Sequence, residues 1–369
     1  MTTQLERLAA ALRRHHLDAA LLVTPPNVTY ASGWEAPLPG GFGTEIVDWL
    51  PAFAVVRADG GGTLCVPEDD LPGARAESWL EVAGFESLHH FERSDPHGSW
   101  LAAVGAALAG VETLGAEPVA PHTALDGVRV ADATGALREA RAIKTPRELE
   151  RLRAAAAAAD AAQRRLLELA ADAGGTSEVA LYAEAVAAAQ RAAGASVAVF
   201  ATLATGARSA LLTSGGAGGR TVEAGDVGLL DLGVRVGGYW SDTANTVVFG
   251  RRPSAAARRY LDAAWAACEA AIARLRPGAR CSEPVAAIAE TLERRGLRLA
   301  HYGGHQLGAS INEPPRLLPY AEEAIEEGMV FAVEAGAYEG EGGTVGARCE
   351  KVALVTAQGP ELLSGFAWG

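Results

Sequence analysis

The first residues that could do chemistry are two aspartates in one apolar hairpin. Asp231 lies in Leu229-Leu-Asp-Leu-Gly-Val and Asp242 closes Gly237-Gly-Tyr-Trp-Ser-Asp. The run reads as two β-strands joined by a tight turn, and a turn centred between Val236 and Gly237 sets position 231 opposite 242. Residues so opposed hold their Cβ atoms roughly 4.5–5.5 Å apart, where two carboxylates repel. Surface aspartates would tolerate that, but Val227, Leu229, Leu230 and Leu232 before the turn and Val247, Val248 and Phe249 after it leave no solvated face. A buried carboxylate pair needs a counter-cation, and a divalent metal ion meets that need.

Three further residues complete the set. His305 sits in Tyr302-Gly-Gly-His-Gln-Leu-Gly, with glycines that let backbone approach closely. Glu334 interrupts the apolar run Met329-Val-Phe-Ala-Val-Glu-Ala-Gly, and Glu350 enters Ala347-Arg-Cys-Glu-Lys-Val-Ala-Leu. Taken singly, each is an ordinary salt-bridge partner. An acid inside an apolar strand is costly to bury uncompensated, and five such residues together point to one site. Four carboxylates and one imidazole suit two divalent ions such as Mn, Co, Fe or Zn. Two ions sharing carboxylates sit about 3.5–4 Å apart and activate a bridging water. Glu334, where an oxygen is free of metal, is the candidate general base.

The elements that must position these residues read in two halves. Across 369 residues, two domains are the default. A capping box, Thr3 with Glu6, opens a first helix, and short strands alternate with helices up to Ala142. Thr145, Pro146 and Glu148 then mark a strong helix start, placing the domains at 1–142 and 143–369. The second half is expected to run as helices, then strands carrying every candidate ligand, and the first half carries none. His89 and His90 read as ordinary surface or packing residues. The loop from Trp34 to Pro51, with Trp34 and Trp49, is long enough to face a partner.

Composition narrows the class. Hydrophobic residues make up 49% and charged residues 21%, which describes a globular protein with ample core. A net charge of −13 argues against nucleic acid and anionic membrane as partners. Cys65, Cys268, Cys281 and Cys349 lie far apart, so neither a zinc cage nor a disulfide framework is expected. With no secretory apolar region and no membrane-length run, a cytoplasmic protein is expected. Phosphate-loop, nucleophile-elbow and His-Glu-x-x-His patterns are missing from the sequence.

The motifs resemble the pita-bread metallopeptidase family, which takes in methionine aminopeptidase, aminopeptidase P, prolidase and the related creatinase. Asp231-Leu-Gly and Gly238-Tyr-Trp-Ser-Asp242 match its hairpin, and Gly304-His305 its Gly-His segment. Gly328-Met-Val-Phe-Ala-Val-Glu334-Ala-Gly and Arg348-Cys-Glu350 match its last two strands. Lys144-Thr-Pro-Arg-Glu-Leu and the spaced Asp18, Asn27, Tyr30 and Gly33 extend the resemblance to the two-domain prolidase and creatinase branch. It implies an α+β fold, a pita-bread catalytic domain preceded by a smaller creatinase-like α/β domain. It also implies two divalent ions on the five ligands, with Asp242 and Glu350 bridging, and a homodimer in which Trp34 or Trp49 borders the partner's site.

The pattern departs at the substrate side. Where the family carries two helper histidines, counting lands on Thr213 and Asn312, and Asn245 and Ala335 replace the usual Arg and Pro. Thr213, Asn312 and Arg348 are the expected substrate-binding residues. Threonine and asparagine still donate hydrogen bonds but do not shuttle protons near neutral pH. Three readings follow. One is a hydrolase of an amide or peptide C–N bond resembling the Xaa-Pro peptidases. A second is a specialised small-molecule hydrolase or lyase on the same scaffold, and the third a non-catalytic binding protein.

Overall fold

The computed structural model describes residues 3–38, 50–87, 94–118, 128–172, 174–212 and 215–369. Trp49, His89, His90 and Thr213 therefore lie outside the described residues. The chain divides into two compact units, Met1–Thr145 and Pro146–Gly369. Among the described residues no helix is long and apolar enough to cross a membrane.

The first unit begins with α1 (Gln4–Arg14), whose N-cap Thr3 and Glu6 form the expected reciprocal capping box. Strand β1 (Ala19–Leu22) leads into α2 (Pro25–Ser32). The Pro-Pro pair that reads as a turn instead opens this helix, since proline is preorganised for its first positions. Strands β2 (Phe53–Arg57) and β3 (Gly62–Pro67), helix α3 (Leu71–Glu77) and strand β4 (Glu81–Phe85) follow. Helix α4 (Pro96–Ala107), strands β5 (Thr113–Ala116) and β6 (Arg129–Asp132) and helix α5 (Thr134–Ala142) complete the unit. Its six strands form one mixed sheet in the order β4-β3-β2-β1-β5-β6. One side of the sheet packs Phe53, Phe85 and Trp100 into an apolar cluster. Trp34 is buried within this unit.

The second unit opens on α6 (Pro146–Ala170) and α7 (Glu178–Ala193), followed by β7 (Ala198–Thr205), β8 (Val227–Val236) and β9 (Tyr239–Val248). Helices α8 (Ala255–Ile272) and α9 (Ser282–Glu293) precede the short strands β10 (Gly304–Gln306) and β11 (Glu313–Leu317). Long strands β12 (Val330–Tyr338) and β13 (Gly346–Thr356) and a final β14 (Gly359–Leu362) close the chain. The sheet runs β11-β10-β12-β13-β9-β8-β7, with β14 paired to β13.

Alanine explains how the long helix sits so close to this sheet. Ala158, Ala159 and Ala162 of α6 are buried against Leu230, Leu232, Val234 and Val247. Small side chains there bring the helix near enough for Gln163 Nε2 to donate to the Thr243 carbonyl at 3.1 Å. Successive strand residues point to opposite faces, so the helices fill one face and leave the other for chemistry. All four cysteines are buried free thiols. Lys351 is buried beside Glu350 in sequence, its ammonium 3.3 Å from the centroid of Phe366.

Candidate metal centre

The β8–β9 hairpin turns on Gly237 and Gly238, with φ of 56° and 84°. Two successive positive-φ residues make the two-residue turn whose twist matches the strands, and glycine adopts that conformation without steric cost. Val236 therefore pairs with Tyr239, Asp231 with Ala244 and Asp242 with Gly233. The expected direct pairing of Asp231 with Asp242 is not formed. A shift of two residues keeps both side chains on one face, and the two residues stand diagonally, their Cα atoms at the cross-strand spacing of about 7–8 Å.

The same register carries the other residues to that face. Ala244 of β9 pairs with Glu350 of β13. Glu350 in turn faces Glu334 of β12 directly. Two residues before Glu334, Ala332 pairs with His305 of β10. Period-two alternation thus presents Asp231, Asp242, Glu350, Glu334 and His305, from five strands, on one side of the sheet. Arg348, two residues before Glu350, shares the face.

Three of the five form the tightest group. One ligand atom each from Asp242, His305 and Glu350 lies within 4.8 Å of the others. His305 Nδ1 is 3.0 Å from the Gln306 carbonyl, so it carries the proton and leaves Nε2 facing Asp242 Oδ2 at 3.6 Å. Asp242 Oδ1 is buried with no hydrogen-bond partner. Asp231 and Glu334 line the same cavity but turn toward Arg348: its guanidinium bonds Asp231, and its Nε lies 3.9 Å from Glu334 Oε2. Arg348 Nε also donates to Tyr338 Oη at 2.8 Å.

The electrostatics suit a cation at this site. Burial, then the neighbouring Asp242 charge, pushes the Asp231 carboxyl up to about 6 against the pull of Arg348. Burial pushes Glu334 up to about 7, again against Arg348. Glu350 is raised well above the usual carboxylate range by burial and by the charges of Asp242, Glu334 and Asp231. For His305, burial disfavours the imidazolium, yet the Asp242 carboxylate outweighs it and the net shift is upward. Crowded buried acids with raised proton affinity, and an orphaned carboxylate oxygen among them, form a donor set that could hold a divalent cation.

Around the carboxylates lies a cavity of about 790 Å³ whose wall is largely apolar, including Phe200, Leu211, Leu212, Trp240 and Ile311. Asn312 lines it too, its amide bonded on both sides, from Arg316 Nε at 2.7 Å and to Tyr302 Oη at 3.2 Å. His301 is the residue that sequence reasoning missed. It lines the cavity, with Nδ1 donating to the Tyr302 carbonyl at 2.7 Å and lying 3.5 Å from Glu334 Oε2. Among the described residues its buried Nε2 has no hydrogen-bond partner. Burial, then the Arg348 charge, lowers its basicity to about 4, so it is a neutral acceptor at neutral pH. The available signal was a second histidine four residues before His305.

Comparison with known proteins gives the class first. Residues 150–357 match metallopeptidase family M24, and residues 4–154 match the creatinase/prolidase N-terminal domain. The chain belongs to metallopeptidase family M24, with a creatinase-like α/β domain preceding the pita-bread catalytic domain. It is 28% identical to the Xaa-Pro dipeptidase of Pyrococcus furiosus over 99% of this chain and 98% of that one. Among solved structures, the prolidase from Pyrococcus furiosus superposes with a TM-score of 0.79 at 26% identity, covering 97% of this chain and 99% of that one. The prolidase from Pyrococcus horikoshii OT3 does so with a TM-score of 0.81 at 24% identity, covering 99% of each.

Proposed function

We propose that the protein is a dinuclear metal hydrolase that cleaves the peptide bond of short Xaa-Pro substrates. Asp231, Asp242, His305, Glu334 and Glu350 are the ligands in this reading. The observation that carries it is the convergence of four carboxylates and one imidazole, drawn from five strands, on one cavity whose wall is largely apolar. Divalent ions such as Mn, Co, Fe or Zn held there would supply Lewis acidity and a nucleophilic water at neutral pH.

The chain's own residues supply the rest. Glu334, through an oxygen left free of metal, takes a proton from the attacking water and returns it to the leaving nitrogen. Arg348 holds Asp231 in place and keeps a positive charge beside the reacting carbonyl. His301 Nε2 offers an acceptor to the substrate's amino end. Phe200, Leu211, Leu212 and Trp240 exclude water and suit the pyrrolidine ring of proline. Overall identity to an Xaa-Pro dipeptidase along the whole chain supports this substrate class.

The test is proline release from Leu-Pro, with Leu-Ala and Leu-Pro-Gly as comparisons, by protein reconstituted with Mn, Co, Fe or Zn. Asp242→Ala is expected to lose both metal and activity. A fully loaded parent that releases no proline overturns the reading. The outcome would then favour a specialised small-molecule C–N substrate, for which the bonded amide of Asn312 at a helper-histidine position is the supporting observation.

A further inference from the structure

The segment between His301 and Arg316 contains a one-way chain of hydrogen bonds that ends at the cavity. Arg316, exposed at the surface on β11, pairs across the strands with His305. Its Nε donates to Asn312 Oδ1 at 2.7 Å. A guanidinium has donors only, so this contact fixes the amide: oxygen toward Arg316, nitrogen toward Tyr302. Asn312 Nδ2 then donates to Tyr302 Oη at 3.2 Å. The tyrosine oxygen is thereby an acceptor, and its own hydrogen is left over. Among the described residues the hydroxyl makes no second hydrogen bond.

Where that hydrogen can point follows from the ring. Tyr302 stacks on His305 with ring centroids 6.1 Å apart and 28° between planes. Both residues line the cavity, as do Asp242, Glu334 and Glu350. Tyr302 is thus part of the wall that carries the carboxylates, and its oxygen accepts from Asn312, a neighbour on the same wall. Each bond in such a chain polarises the next, so a cation at the far end strengthens the final donor.

We propose that Tyr302 Oη is a catalytic hydrogen-bond donor to the substrate's carbonyl oxygen as that oxygen gains negative charge, held in its donating state by the Arg316–Asn312 relay. The assignment rests on the peptidase reading above. It gives Asn312 a task other than replacing an imidazole: it fixes the direction of another residue's proton. A preorganised donor aimed at developing charge acts on the transition state more than on the bound substrate. Asn312 and Arg316 are positioning residues in this scheme.

The experiment uses the metal-loaded full chain with two readouts, Leu-Pro cleavage and calorimetric binding of a phosphinic Leu-Pro isostere, whose tetrahedral oxygens mimic the charged state. Tyr302→Phe is expected to lower kcat by about 10²-fold with KM little changed, as for loss of one such donor. It should also weaken phosphinate binding at least tenfold while leaving the affinity for the product proline unchanged. Asn312→Asp keeps the shape and the Arg316 contact but accepts the tyrosine proton, turning it away from the cavity. It should reproduce the Tyr302→Phe loss, and metal content and melting temperature confirm that both variants fold. A parent that cleaves Leu-Pro and binds the phosphinate, with either variant matching it in both readouts, overturns the role of Tyr302 alone. A loaded parent that neither cleaves nor binds overturns the peptidase reading and this inference with it.

Discussion

Glu334 and Glu350 face each other directly across the antiparallel strands β12 and β13, both buried. Like charges so opposed destabilise a sheet. The metal-free fold tolerates them by keeping protons that free carboxyls would have lost, and this sets its pH dependence. The carboxyls of Asp231 and Glu334 titrate near 6 and 7 in the fold, against ordinary values of 3.8 and 4.5. A folded value above the unfolded one means stability that is full below pH 4 and lost as pH rises through 6 to 7. Melting in chelator should therefore show a falling transition temperature between pH 5 and pH 8. Added Mn should abolish or reverse that trend, because metal binds the ionised ligands. A chelated protein whose stability rises over that range would contradict the buried-acid account.

Removing one member of the opposed pair separates folding from binding. Glu350→Gln should stabilise the metal-free protein at pH 8 by on the order of 1 kcal/mol, the scale of a cross-strand pair. The same variant should retain less than stoichiometric metal by elemental analysis. Loss of stability in chelator would contradict the charge account of the opposed pair.

Gly304 sets the position of His305. It has φ of 128°, and a Cβ there would lie 2.0 Å from the Ala332 carbonyl oxygen on the neighbouring strand. Backbone does not yield as a flexible side chain does. Gly304→Ala should cost about 1–3 kcal/mol of stability from the strained position. It should also displace the imidazole, measured as weaker metal retention on dialysis. Gly340→Ala, with open space around it but φ of 87°, serves as a control for strain alone.

Arg348 pulls against the rise of the Asp231 carboxyl. Arg348→Met would leave that buried carboxyl without its cation, raising its proton affinity further. Mn titrations across pH 6 to pH 8.5 should show the variant binding weakly at pH 6 and recovering as pH rises. Arg348→Lys should fall between, since an ammonium keeps the charge but not the forked geometry that reaches both Asp231 and Tyr338. Equal pH profiles for all three proteins would remove this role.

The four acidic positions stood out because each interrupts an apolar strand, where a lone charge demands a reason, and His305 stood out by its flanking glycines. The pairing was not legible: Gly237 and Gly238 allow a turn centred on either side of position 237, and only their positive φ values decide between the centrings. Asp231 and Asp242 stayed on one face because the error was an even number of residues. Three-residue β10 and the bulged β11 carry too little periodicity to be read, so His301, Tyr302, Asn312 and Arg316 gave no sign of meeting. In the small domain the Pro-Pro pair hid α2, and α3 and β4 to β6, short and poorly patterned, did not show.

On β7 and β8 the side chains divide cleanly by parity. Phe200, Thr202 and Ala204 line the cavity, as do Leu229 and Asp231. Leu203, Leu230, Leu232 and Val234, the residues between and beyond them, sit in the helix-packed core. Fold and substrate choice are therefore written on interleaved letters of the same strands. A lineage, or a directed-evolution library, can change Phe200, Thr202, Ala204 and Leu229 and so explore new substrates while the core letters stay untouched. That separation is a structural source of evolvability: selection for a new ligand and selection for a stable chain act on different residues.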